Sequence, residues 1–159
     1  MTRLEAPRQF QWSAELPVRI EDAFELLGSP EGMVRWVPMC RGVRYEHPPG
    51  SDGLSVGSVR TISMGGLPAV ERILRLEPPR RLDYTVESIG TRLDRFVKDY
   101  RGETILESLG PDRCRLTWSV YFQCEGAMRP LAPLFRALFR STIGTLVKNV
   151  AKITGGRVV

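Results

Sequence analysis

The chain has no long apolar run, a single histidine and only three cysteines, and each shortage removes a class of protein. A membrane helix needs about eighteen consecutive apolar residues, and no stretch of the 159 residues approaches that. Residues 1–9 carry Arg3, Glu5, Pro7 and Arg8 where a secretory signal would be apolar. A protein without a transmembrane segment, in the cytoplasm, is therefore expected. The cysteines show no CxxC spacing, and Cys114 and Cys124 lie ten positions apart in one expected strand. That separation is roughly 33 Å, far beyond disulfide reach, which agrees with a reducing compartment. His47 sits beside Pro48, Pro49 and Gly50 in an expected loop. One histidine and three scattered cysteines make no paired zinc ligands, and no Ser-His-Asp or Cys-His arrangement can be nominated. A phosphate-binding P-loop run and a dinucleotide fingerprint are also missing, since Gly65-Gly66 falls in a hairpin and not between a strand and a helix. The expectation is no metal and no cofactor.

What is present fits one globular domain spanning residues 1–159, with 42% apolar and 26% charged residues. Twenty of the 23 basic residues are arginine and the net charge is +5. The densest group, Arg72, Arg75, Arg80 and Arg81, alternates with Glu71, Glu77 and Asp83. No uniform basic stripe forms, so nucleic acid is not expected as a partner and the charges read as a solvated surface. Nothing in the pattern specifies an oligomeric state.

Phe10, Trp12, Ala14 and Leu16 recur at period two and predict a first strand over Gln9–Leu16, ended by Pro17. Glu21 and Asp22 then open a short helix with an apolar stripe at Ala23, Phe24 and Leu27, closed by Gly28 and Pro30. A second short helix is expected over Glu31–Trp36, before Pro38. Val56–Leu76 reads as two alternating runs joined at Gly65-Gly66, a pair suited to a two-residue primed turn. With those glycines as the loop, facing residues have numbers summing to 131, so Ile62 meets Ala69 and Arg60 meets Glu71. Further strands are predicted over Arg81–Ser88, Phe96–Leu109 and Arg113–Cys124, the last two joined by Gly110, Pro111 and Asp112. The sheet should be antiparallel and mostly sequential.

From Leu131 to Ile153 the period becomes helical. Leu131, Leu134, Phe135, Leu138, Phe139, Leu146, Val150 and Ile153 fall within about half the circumference. Pro130 and Pro133 suit the entry, and Gly155 and Gly156 the exit. Such a helix is about 34 Å long and needs a sheet wrapped around it.

Several runs carry a likeness to a known family. They are Pro17-Val18-Arg19-Ile20-Glu21-Asp22-Ala23-Phe24, Trp36-Val37-Pro38, Val56-Gly57-Ser58-Val59-Arg60, Glu71-Arg72-Ile73-Leu74, Leu76-Glu77-Pro78-Pro79-Arg80-Arg81-Leu82-Asp83-Tyr84, Asp99-Tyr100-Arg101-Gly102 and Arg115-Leu116-Thr117-Trp118. In this order the chain resembles the helix-grip α+β fold of the START and birch-pollen-allergen superfamily (SRPBCC), above all its bacterial polyketide cyclase/dehydrase and lipid transport branch. The hairpin from Val59 to Arg72 also resembles the gate of plant abscisic-acid receptors, without the rest of the gate and latch pattern. The resemblance implies a curved sheet of six or seven strands around the long helix, two short helices after strand one, and a cavity between sheet and helix. It also implies that Arg60 and Glu71 point inward.

Given that facing, alternation places Ile62, Met64, Ala69 and Ile73 inward as well, followed by Tyr100, Gly102, Thr104 and Leu106, then Leu116, Trp118, Val120 and Phe122. The expected ligand site is Arg60, Ile62, Glu71, Ile73, Tyr100, Gly102, Trp118 and Phe122, with Leu134, Phe135 and Leu138 from the helix. Small Gly102 and Thr104 should leave room there. Trp118, with Leu116 and Phe122, reads more readily as plain core. Tyr100 reads equally well as a packed ring with a solvated hydroxyl. The leading function is binding of a hydrophobic small molecule (lipid, isoprenoid or polyketide-like) as carrier or sensor. The alternative is an aromatase/cyclase for polyketides, with Arg60, Glu71 and Tyr100 as candidate catalytic groups for aldol closure and loss of water.

Overall fold

The computed structural model describes residues 6–159; Arg3 and Glu5, on which part of the reading of the first residues rests, lie outside them. Strand β1 (Arg8–Leu16) is followed by helices α1 (Ile20–Gly28) and α2 (Pro30–Trp36). Strands β2 (Cys40–Glu46), β3 (Val59–Met64), β4 (Leu67–Glu77), β5 (Arg81–Ser88), β6 (Val97–Gly110) and β7 (Arg113–Cys124) come next. Helix α3 (Ala132–Thr154) and a two-residue β8 (Arg157–Val158) complete the chain. Short 3-10 turns at Arg92–Arg95 and Gly126–Leu131 lead into β6 and α3. All eight strands form one antiparallel sheet ordered β2-β3-β4-β5-β6-β7-β1-β8. No helix of the described residues is long and apolar enough to cross a membrane.

The β3–β4 register is the predicted one, with Arg60 opposite Glu71 and Ile62 opposite Ala69. Gly65 and Gly66 both take positive φ (54° and 92°), the conformation a type I′ turn requires at both central positions. Pro30 does not close α1 but opens α2: the Ser29 hydroxyl accepts from the Gly32 amide at 2.9 Å, a cap that leaves proline where no amide proton is needed. Strands β2 and β8, which the alternation leaves unassigned, add an edge each to the expected sheet.

The phase of α3 differs from the predicted stripe. Phe135, Phe139, Ile143, Gly144, Val147, Val150 and Ala151 are buried, whereas Leu131, Leu134 and Leu138 are 41%, 62% and 50% exposed. Leucines and phenylalanines alternate over the same half-circumference, and composition alone does not say which half-face meets the sheet. Gly144 settles it, because its Cα comes so close to the Trp12 ring that a Cβ there would lie 2.6 Å from the indole.

Candidate functional site

The concave side of the sheet carries two neighbouring clusters. The deep one centres on Arg60, buried at 3% exposure and ion-paired with Glu71 across the hairpin. Its guanidinium also donates to the Met33 sulfur at 3.7 Å and lies 5.0 Å from the centroid of the Tyr84 ring. Tyr45 donates to the Gly28 carbonyl at 2.5 Å. Burial opposes the arginine's charge, but Glu71, Tyr45 and Tyr84 outweigh it, so the group is held protonated more firmly than a free arginine. The Tyr84 hydroxyl accepts from Trp118 Nε1 at 3.1 Å, and Trp36 packs edge-on against Trp118. Burial, then the Glu71 charge, pushes the Tyr84 hydroxyl well above its ordinary pKa.

The second cluster is aromatic. Tyr100 stacks on Phe122 with centroids 6.0 Å apart, and Phe139 meets both edge-on, with Phe135 beside it. The backbone aims Tyr100: Asp99 has φ 52°, and the β6–β7 pairing slips between Lys98 and Arg101. The bulge ends at Tyr100, which from there keeps the expected inward alternation with Gly102, Thr104 and Leu106. The Gln123 amide donates to the Asp99 carboxylate at 2.9 Å and holds the bulge. The Tyr100 hydroxyl makes no hydrogen bond among the described residues. Burial and the negative charge of Glu71 raise its pKa, so it stays a neutral phenol able to donate and accept.

Of the residues expected at the site, Ile62, Ile73, Trp118 and Phe122 are buried on the concave side together with Arg60 and Glu71, and Phe135 closes over them from α3. Leu134 and Leu138 are not among them, for the helical phase turns them to solvent. Gly102 does not leave room: a Cβ there would lie 2.2 Å from Tyr84 Cζ, so the tyrosine ring already fills the space over the glycine it pairs with. Sequence reasoning missed Tyr84, Tyr45 and Met33. For Tyr84 a signal existed, because a large aromatic directly across from a glycine on the same face is a recurrent pairing in antiparallel sheets.

Hollows of about 290 Å³ between α1 and α2 (Asp22, Glu25, Leu26, Glu31, Arg35) and about 450 Å³ beside the end of β7 (Pro7, Gln123, Glu125, Arg129) include none of the expected site residues. His47 is held by Ser58 at 3.0 Å and stacks on Tyr45. All three cysteines are free thiols, and burial raises the pKa of Cys114 and Cys124.

The sequence profile of polyketide cyclase / dehydrase and lipid transport proteins matches residues 7–152. An uncharacterized protein of Mycobacterium tuberculosis is 29% identical over 154 residues, covering 96% of this chain and 87% of its own. Among solved structures, a START superfamily protein from Mycobacterium smegmatis superposes with a TM-score of 0.71 at 13% identity over 92% of this chain and 96% of its own. The ZhuI aromatase/cyclase from Streptomyces sp. R1128 gives 0.66 at 14% identity, covering 89% of each chain.

Proposed function

From the premise that this chain belongs to the polyketide cyclase/dehydrase and lipid transport family, we propose that it binds one hydrophobic small molecule bearing an oxygen function, as a cytoplasmic carrier or sensor. The fold is the helix grip of that superfamily, and hydrophobic ligand binding is the coarse function that family and fold support. The observation that carries the finer reading is the Tyr100 hydroxyl, a neutral donor left idle among Phe122, Phe135 and Phe139. An apolar body stacked on these rings with one carbonyl or hydroxyl against Tyr100 meets the requirement of such sites for many apolar contacts and few oriented polar ones. The ligand takes its place by displacing Phe135 and Phe139, which the first turns of α3 carry. Arg60, Ile62, Glu71, Ile73, Trp118 and Phe122 form the inner wall, and Gly102 contributes by admitting the Tyr84 ring.

A second reading is a polyketide aromatase/cyclase. It is supported by the presence of a carboxylate, Glu71, and a phenol, Tyr100, on the same concave face, where burial first and the Glu71 charge second raise the phenol's pKa, and by the likeness to an aromatase/cyclase. Tyr100 would protonate a ketone oxygen as Glu71 removed a proton from carbon. Glu71 is already ion-paired with Arg60 and is not free to act on a substrate, so binding leads.

Titrating 9,10-dibromostearate into a Trp12→Phe variant tests the binding reading, because the remaining indoles, Trp36 and Trp118, are interior. Saturable quenching by one equivalent is expected. Absence of saturable quenching, with nothing retained from a lipid extract in native mass spectrometry, would remove the reading. Dehydration of a poly-β-ketone thioester by the purified chain would move it to the cyclase.

A further inference from the structure

The open end of the grip carries an amphipathic rim, and we propose that this rim docks the protein onto an anionic lipid bilayer. Four segments join to make it. The Gly65 amide of the β3–β4 turn donates to Met39 just after α2 at 3.2 Å, Gly90 of the β5–β6 loop packs against Pro68, and the Glu125 amide before the second 3-10 turn donates to Phe96 at 3.0 Å. Apolar side chains protrude around it: Met39 is 78% exposed, Leu67 49% and Leu134 62%, with Leu131 and Leu138 beside the last. At 100° per residue Leu131, Leu134 and Leu138 span about 60° of α3. They share that side with Asn149, whose amide reaches the Trp36 carbonyl, so they face toward α2 and the hairpin.

Charge on the rim has one dominant sign. Arg92, Arg95 and Arg129 are exposed and form no ion pair among the described residues. Asp94 is turned back to cap Ser88 and the Ile89 amide, leaving Glu125 and Asp99, the latter bonded to Gln123, as the exposed acids beside them. Leucine and methionine tips ringed by arginines are what an interfacial anchor needs: the apolar groups enter the acyl boundary and the guanidinium groups meet the headgroup phosphates. Each arginine near an anionic surface strengthens partition about fivefold. Two copies brought rim to rim would oppose these arginines, which disfavours a dimer through this face. The proposal does not depend on the interior ligand.

Co-sedimentation of the full chain with vesicles tests it. Vesicles of phosphatidylcholine with 30% phosphatidylglycerol should pellet the protein at low salt, pure phosphatidylcholine at least tenfold less, and 0.5 M NaCl should release it. The double variant Leu134→Glu/Leu138→Glu and the triple variant Arg92→Ala/Arg95→Ala/Arg129→Ala should each lose at least tenfold in partition. Both should keep the parent's melting temperature, since the side chains are solvent-exposed. Arg75→Ala, an exposed arginine paired with Glu77 on β4, should leave partition unchanged. Equal pelleting with neutral vesicles, or full binding by the triple variant, would overturn the proposal. So would a parent dimer that the leucine variant converts to monomer, which would assign the face to a second copy of the chain.

Discussion

The deep cluster around Arg60 and the aromatic cluster around Tyr100 each hold a tyrosine on the same concave surface, yet the two phenols end in opposite states. In the first, the guanidinium, the Tyr84 hydroxyl and the Trp118 indole all find partners inside the protein. In the second, a phenol of the same kind is left without one. Helix α3 repeats the contrast along its length. Its second half buries Ile143, Val147, Val150 and Ala151, while its first half buries only two phenylalanines and exposes Leu134 and Leu138, with Leu131 exposed just before it. A group whose hydrogen bonds are already made has little to offer a ligand, so the completed end maintains the fold and the incomplete end is where the proposed ligand would bind.

Breaking the completed end should give the largest effect. Glu71→Ala leaves Arg60 buried without its counter-charge and is expected to lower stability by about 3 to 5 kcal/mol, measured by urea unfolding. Replacing both partners, Arg60→Met with Glu71→Leu, should recover most of that loss, because a well-packed apolar pair has no charge to desolvate. A cost below about 1 kcal/mol for Glu71→Ala, the size expected of an exposed pair, would erase the distinction between the two ends.

Gly102→Ala comes next. In an ordinary strand alanine would outperform glycine by about 0.5 to 1 kcal/mol. Here its Cβ meets the fully buried Tyr84 ring, and a net loss of about 1 to 3 kcal/mol is expected. The same substitution in a Tyr84→Leu background should cost less than in the parent chain, a coupling visible in a double-mutant cycle.

Much of this was legible in the sequence. Alternation with one hairpin register grouped Arg60, Ile62, Glu71 and Ile73 on one side, because period two allows a single slip to be detected as a wholesale change of face. The family resemblance supplied that this side, with Trp118 and Phe122, is the inner one. The phase of α3 was not legible: leucine and phenylalanine carry the same hydrophobic signal, and the choice was made by Gly144 against Trp12, a contact between residues more than a hundred positions apart. Alternation also placed Tyr100 inward with Gly102 and Thr104, but the β6 bulge just before it was hidden, since a positive φ at Asp99 is stabilised by Gln123 on the neighbouring strand and leaves no periodic trace.

Alkaline titration sharpens the comparison without mutation. Tyr84 and Tyr100 both have raised folded-state pKa values, for burial reasons first and Glu71 second. The folded protein therefore keeps protons that the unfolded chain loses above about pH 10. Their contribution is complete below that pH and is lost as pH rises, so unfolding free energy should fall on the alkaline side. Absorbance at 295 nm should show these two phenols ionising only with unfolding. Early ionisation of Tyr100 alone would mean that the open end already admits water freely.

The smallest expected change in stability belongs to Tyr100→Phe, and its value lies in the pairing with Tyr84→Phe. The chemical change is identical, one hydroxyl removed from one interior phenol. At Tyr84 it strips the Trp118 indole of its acceptor, and a buried unsatisfied donor costs about 1 to 3 kcal/mol. At Tyr100 no protein group loses a partner, so thermal unfolding should stay within about 0.5 kcal/mol of the parent. Ligand affinity should respond in the opposite sense. Tyr100→Phe should weaken an oxygenated ligand about fivefold, the worth of one hydrogen bond near 1 kcal/mol, and should leave a pure hydrocarbon probe unaffected. If Tyr100→Phe instead destabilises as much as Tyr84→Phe, its hydroxyl has a structural partner and the ligand's polar anchor must be sought elsewhere on the concave face.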